Sequence, residues 1–215
     1  STCNNKPVIE IGNDVFYNCD SITSITIPDS IITISRLAFG YCSNLTSVTI
    51  PNNVAYIDYQ AFEYCKNLTS LIITNELTSI ENNAFYGCNK IQSATVSADK
   101  LYLIPKESLT TVIINGGTAI YQHLFDGEYK ITSVTIGDSI KTINSYAFHN
   151  CGNLTNIVIP NSVTYIGERA FASCHSLTSI TIGNSVTKIE DAAFMNCDNL
   201  KEVHIYDIAA WCDIF

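Results

Sequence analysis

The sequence predicts a right-handed solenoid of the α/β class: a parallel sheet with one short strand per repeat, plus short helical or 3₁₀ turns. Three observations carry that prediction. Cysteines recur every 23 residues, at Cys19, Cys42, Cys65 and Cys88 and again at Cys151, Cys174 and Cys197. A phenylalanine stands three residues before each of them, at Phe16, Phe39, Phe62, Phe85, Phe148, Phe171 and Phe194. The apolar residue opening each unit keeps the same step, from Ile22, Leu45, Leu68 and Ile91 to Ile131, Leu154, Leu177 and Leu200. One unit offers about six large side chains to bury, at ~1.5–3 kcal/mol each. Ordering its backbone costs ~1–2 kcal/mol per residue. A unit therefore folds only against its neighbours, and a stack of such units is a solenoid. Right-handed coiling follows from the handedness of parallel crossovers.

The elements of one unit follow in order. In Leu45-Thr46-Ser47-Val48-Thr49-Ile50 the tail alternates, Val48 and Ile50 on one side and Ser47 and Thr49 on the other. That is the period of a half-buried strand rich in β-branched residues. Pro51-Asn52-Asn53 turns the chain. Val54 and Ile57 form a second apolar pair, too short a segment for a stable helix. Ala61-Phe62-x-x-Cys65 suits one turn of helix or 3₁₀ with Ala61, Phe62 and Cys65 inward. The L-x-x-L-x-L spacing at this period is the leucine-rich-repeat signature.

A single domain is expected over 1–215, with a partial unit at 1–21, regular repeats at 22–90, irregular short repeats at 91–130, regular repeats at 131–199 and a terminal cap at 200–215. The irregular stretch loses the A-F-x-x-C turn in its first unit and has Glu128 in the cysteine slot of its second. It also gathers Lys100, Tyr102, Lys106, Tyr121, His123, Tyr129 and Lys130. Tyrosines beside basic residues are the composition of a contact hot spot, while repeat decay with a kink explains the same stretch. Ile208, Trp211, Ile214 and Phe215 are apolar enough to cover a last open rung. The abrupt end and the missing initiator Met are what a mature or trimmed piece of a larger protein shows.

The T-S-I-T-I-P, V-x-x-I-G and A-F-x-x-C elements together closely resemble the BspA-like leucine-rich-repeat family; "LTSITIGNSVTKIEDAAFMNCDN" at 177–199 is close to its consensus. The resemblance runs from Val8 to Leu200. It implies a secreted or cell-surface protein of a host-associated microbe, adhesion as the activity, and no catalytic residues. It does not specify a ligand.

Composition narrows the chemistry. The chain is 47% hydrophobic and 14% charged with a net charge of −9. Such an acidic balance argues against phosphate-backbone binding, so no nucleic-acid partner is expected. No apolar run reaches the ~18–20 residues of a membrane span, so no membrane insertion by this segment is expected. Paired zinc ligands such as C-x-x-C or H-x-x-x-H are missing, and the four histidines fall at four phases of the repeat, so neither a metal nor a cofactor is expected. Cys174 precedes His175 directly, but neighbours in a turn point apart, and a nucleophile needs its base held against it. One carboxylate per rung at Asp58, Glu81, Glu168 and Glu190 reads as a solvated edge. The three N-x-T sequons, at Asn44, Asn67 and Asn153, arise from the repeat itself.

The outer face of the strands carries Ser47 and Thr49, Ser133 and Thr135, and Ser179 and Thr181 on different rungs. In horseshoe repeats that face is the usual binding surface. Rungs interrupted by Ile and Val, and curvature, argue against ice binding. The expected function is a non-catalytic adhesion module, a monomer, contacting an extracellular protein or glycan through this face, with Tyr102, Tyr121, His123 and Tyr129 as further contact candidates. A structural stalk displaying another domain is the alternative. Cys19, Cys42, Cys65, Cys88, Cys151, Cys174 and Cys197 are expected to be free, buried packing thiols, since pairing adjacent rungs would disturb a uniform column. Cys3 and Cys212 lie off the period.

Overall fold

The computed structural model describes residues 2–3, 6–75 and 78–205, and side chains from Pro7 onward within those ranges. The expected cap residues Ile208, Trp211, Ile214 and Phe215, with Cys212 and the Cys3 side chain, lie outside the described residues. The chain divides into two compact units. One comprises the residues up to Val96 together with Tyr102–Leu109; the other comprises Ser97–Leu101 and the chain from Thr110 onward.

In the first unit the strands Ser47–Ile50, Ser70–Ile73 and Ser93–Val96 pair in parallel, with Val48 beside Leu71 and Leu71 beside Ala94. Val48 and Ile50 are buried while Ser47 and Thr49 are exposed, as the alternation requires. The V-x-x-I segments form strands that their own sequence does not signal. Each ends in a two-residue strand, and Glu10–Ile11, Thr33–Ile34, Tyr56–Ile57 and Ser79–Ile80 form a second parallel sheet. Two residues carry no legible period, so the strand shows only when neighbouring rungs are laid side by side. The second unit repeats the plan, with the short strands Ala119–Ile120, Thr142–Ile143, Tyr165–Ile166 and Lys188–Ile189 in one sheet.

The A-F-x-x-C segment is a run of tight turns rather than a helix. Ala61, Glu63 and Cys65 donate their N–H groups three residues back, to Asp58, Gln60 and Phe62. Phe62 and Tyr64, between them, donate to Ala84 and Tyr86 of the next rung at 2.8 and 2.7 Å. Left-handed residues at Gln60 (φ 60°) and Tyr64 (φ 54°) reverse the chain so that N–H groups alternate between these two jobs. A helix would use every N–H within the rung and leave the stack untied. The irregular stretch holds the one 3₁₀ helix among the described residues, Ala98–Leu103, where the turn motif is missing.

Inside the turns the phenylalanines stack. Phe16, Phe39, Phe62 and Phe85 lie with centroids 5.2 Å apart and nearly parallel planes. In the second unit Phe125, Phe148, Phe171 and Phe194 do the same at 4.9 to 5.4 Å. Offset stacking adds to the apolar burial of each ring.

Candidate functional site

The repeated cysteines come first because the motif singled them out. All seven are free; Cys42, Cys65, Cys88, Cys151 and Cys174 are buried, while Cys19 and Cys197 are half-buried. Each thiol from Cys42 onward donates to the Phe carbonyl of the preceding rung, as Cys88 does to Phe62 and Cys174 to Phe148, at 3.1 and 3.2 Å. The cysteine is therefore a hydrogen-bond donor as well as a packing residue. Burial, then the neighbouring Cys65 charge, pushes the Cys42 thiol up to about 11. Contact with the Cys197 thiol and then burial push Cys174 upward as well, while the same contact lowers Cys197. Inert thiols in the column and a more acidic one at Cys197 follow.

On the strand face, Ser47, Thr49, Ser133 and Thr135 are exposed and Ser179 and Thr181 are half-buried. In the second unit this face is interrupted. Thr111–Ile114 pairs with Ser133–Ile136, and Asn156–Ile159 pairs with Ser179–Ile182, but no ladder joins Ser133–Ile136 to Asn156–Ile159. Thr132 and Thr178 bond their hydroxyls to the carbonyl of the preceding rung, at Thr110 and Thr155. The Thr155 hydroxyl instead accepts from Asn156 Nδ2 of its own rung at 3.4 Å. Between the two strands lies a cleft of about 760 Å³, lined by Ser133, Thr135, Asp138, Asn156, Val158 and Asn161 among others. Val158 is 59% exposed at its lip. Two unpaired strand edges with hydroxyl, amide and carboxylate groups around them can take up hydrogen bonds from a ligand.

Of the irregular-stretch candidates, Tyr102 belongs to the first unit, and Tyr121, His123 and Tyr129 to the second. All three tyrosines are exposed. Although the four histidines stand at different phases of the repeat, His123 and His149 are drawn into one cluster. His123 Nδ1 lies 2.7 Å from Asp126 Oδ2, and His149 Nδ1 lies 2.7 Å from Asp126 Oδ1. Tyr146 stacks on His123 at 5.0 Å, meets His149 edge-on at 5.4 Å and accepts a hydrogen bond from Arg169 at 2.9 Å. The signal was available: Asp126 and His149 are one repeat apart, as are His123 and Tyr146. Partial burial works to raise Asp126, but hydrogen bonds from His149 and His123 outweigh it and hold the carboxyl below its ordinary value. Among the described residues no group of three or more His, Cys, Asp or Glu side chains is arranged to hold a metal ion. No helix among them is long and apolar enough to cross a membrane.

A parallel stack of repeats opening on an L-x-x-L-x-L strand defines a leucine-rich-repeat protein. The chain belongs to the BspA-type leucine-rich-repeat family, whose model matches in six copies over residues 9–116 and 118–209. No curated protein matches it. Among solved structures, the TLR13–ssRNA13 complex is similar at 14% identity and a TM-score of 0.60, over 92% of this chain and 34% of that one. A leucine-rich-repeat protein of Bacteroides ovatus matches at 19% identity and a TM-score of 0.42, over 95% of this chain and 67% of that one. The T. pallidum leucine-rich-repeat protein matches at 22% identity and a TM-score of 0.40, over 85% and 69%.

Proposed function

We propose that the chain is a non-catalytic binding module of a secreted or cell-surface protein, and that it contacts a host or microbial macromolecule through its strand face. The observation that carries this reading is the break between Ser133–Ile136 and Asn156–Ile159. A uniform repeat has no structural reason to leave two facing strand edges unpaired. The break opens on the face already lined by Ser133 and Thr135, and it combines free backbone groups with an exposed apolar lip at Val158. Membership of a repeat family with no catalytic motif supports the non-catalytic part, and the adhesive, surface-exposed role is what the family resemblance implies.

Binding to immobilised matrix proteins and to a glycan panel tests it. Asn156→Arg places a bulky charge in the cleft; Thr49→Arg places the same charge on the unbroken strand face of the first unit. The reading expects a ligand that Asn156→Arg loses and Thr49→Arg keeps. A panel with no ligand, or a ligand indifferent to Asn156→Arg, overturns it.

A further inference from the structure

The first unit carries four tyrosines in a row, one from each of four consecutive turns: Tyr17, Tyr41, Tyr64 and Tyr86. Their ring centroids follow at 5.4, 5.1 and 5.5 Å, with planes inclined by 63°, 37° and 84°. Tyr17 and Tyr86 are 45% and 53% exposed, and the two between them are half-buried.

This row is not a product of the repeat. Its middle members stand one position later in the turn than its ends. In the second unit the equivalent turns carry Asp126, His149, Ala172 and Met195 at the first of these positions and Gly127, Asn150, Ser173 and Asn196 at the second. The turn therefore forms without an aromatic residue at either place.

Two of the tyrosines also stand against the preference of their own backbone. Tyr41 has φ 61° and Tyr64 φ 54°. Other rungs fill that left-handed position with Asn18, Gly87, Gly127, Asn150, Ser173 and Asn196, all of them small and most of them residue types that tolerate it. A bulky ring there costs on the order of 1 kcal/mol. Space is also reserved for it: a Cβ at Gly87 would sit 2.6 Å from Tyr64 Cδ1. The other left-handed position of these turns takes large residues as well, Leu37, Gln60, Tyr146 and Arg169 among them, so it is the gathering of four rings on one surface that the fold does not require which marks the row as a site.

We infer that the Tyr17–Tyr41–Tyr64–Tyr86 row is a binding platform for an unbranched, neutral chain of pyranose sugars running along the stack. One ring per rung repeats at 5.1 to 5.5 Å, close to the advance of one sugar residue in an extended polysaccharide. The C–H faces of pyranoses stack on aromatic rings, and tyrosine supplies a rigid apolar face with a hydroxyl at its rim. The same turns continue into Ser43, Asn44 and Asn67, a flank of hydroxyls and amides. Charges beside it are already engaged: Asp20 accepts from Ser43, Lys90 donates to Asn67 Oδ1 at 2.7 Å, and Lys66 lies over the Tyr64 ring at 5.7 Å. A cluster of free cations for a phosphorylated or acidic ligand is not what this flank offers. The step is the rung spacing of the stack, shared by the Phe column at 5.2 Å, and the tyrosine row is where that spacing is presented to solvent by aromatic rings. The site differs in unit and in face from the strand-face cleft, so its fate does not depend on that reading.

Calorimetric titration of the whole chain with cellohexaose, chitohexaose, maltohexaose and mannohexaose tests the inference. The decisive variant is Tyr41→Asn/Tyr64→Asn, which installs the residue that other rungs place at the same φ and so relieves strain. At least one hexasaccharide is expected to bind, and the double variant to bind it at least about tenfold more weakly with its melting temperature kept. Should that variant unfold, Tyr17→Ser/Tyr86→Ser, at the exposed ends of the row, must show the loss in a folded protein. Binding of none of the four sugars, or equal binding by the folded variants, overturns the assignment, as does a row that supports melting temperature alone.

Discussion

The Cys65 thiol donates to the Phe39 carbonyl oxygen at 3.2 Å, reaching back one rung to a residue 26 positions earlier. That oxygen also accepts the Cys42 N–H of its own rung at 3.3 Å. One carbonyl is thus held from two adjacent rungs, and the pairing explains why a cysteine stands three residues after the phenylalanine in every regular turn. If cysteine were only a small hydrophobe, Cys65→Val would be nearly neutral apart from crowding. The hydrogen bond predicts a loss of about 1 kcal/mol in Cys65→Val and about 1–2 kcal/mol in Cys65→Ala, where volume goes too. Urea midpoints of the two variants give the comparison.

The thiols should separate by reactivity. Cys197 is half-buried and its pKa is lowered by contact with Cys174, whereas Cys42 is buried and pushed up to about 11. At pH 8 in the folded protein, Cys197 should take up iodoacetamide ahead of Cys42, Cys65, Cys88, Cys151 and Cys174, which should react only on unfolding. Peptide mapping after timed labelling reads the order; fast modification of the buried five would show that the column is open.

Much of the fold was legible because the repeat writes itself in the sequence: Val48 and Ile50 announced the long strand and Phe62 and Cys65 the inward turn. What stayed hidden depends on contacts between rungs. Tyr56–Ile57 is a strand only because Thr33–Ile34 and Ser79–Ile80 lie on either side of it. The turn looked helical because Ala61, Phe62 and Cys65 have helical spacing; the left-handed Gln60 and Tyr64 that break the helix are not residue types that signal φ > 0. The strand face was legible as a ladder of hydroxyls, but its opening beside Thr135 was not, since Asn156 and Val158 read as one more ordinary rung. The tyrosine row is not legible in the sequence because its step shifts by one residue at each end.

Glycine's two roles in the turns can be told apart by one substitution made twice. Gly87 and Gly127 share the left-handed conformation, at φ 77° and 75°. A Cβ at Gly87 meets the Tyr64 ring at 2.6 Å, while one at Gly127 meets nothing within 4 Å. Gly127→Ala should therefore cost only the backbone penalty, about 1 kcal/mol. Gly87→Ala should cost that plus displacement of the ring, on the order of 1–3 kcal/mol more. Combining Gly87→Ala with Tyr64→Ser should return the cost to the Gly127→Ala level, a coupling that a double-mutant cycle measures directly.

Asp126 should make the second unit sensitive to acid. Its folded pKa lies below the ordinary value because the His149 and His123 hydrogen bonds outweigh partial burial. A carboxyl lowered on folding contributes stability that is present above its unfolded pKa, about 3.9, and is lost as pH falls through the folded value. The carboxylate and both imidazoles are substantially exposed, so screening limits the contribution to about 1 kcal/mol or less. Asp126→Asn should accordingly melt slightly below the parent chain at pH 7, and the gap should close as pH falls through the folded pKa, below which both carry a neutral group at this position. Raised salt should narrow the gap at pH 7 and, by the same linkage, move its closing up toward the unfolded pKa. Melting curves of both proteins across this range check the sign: a gap that widens toward low pH would mean that Asp126 is not held ionised by its two histidines.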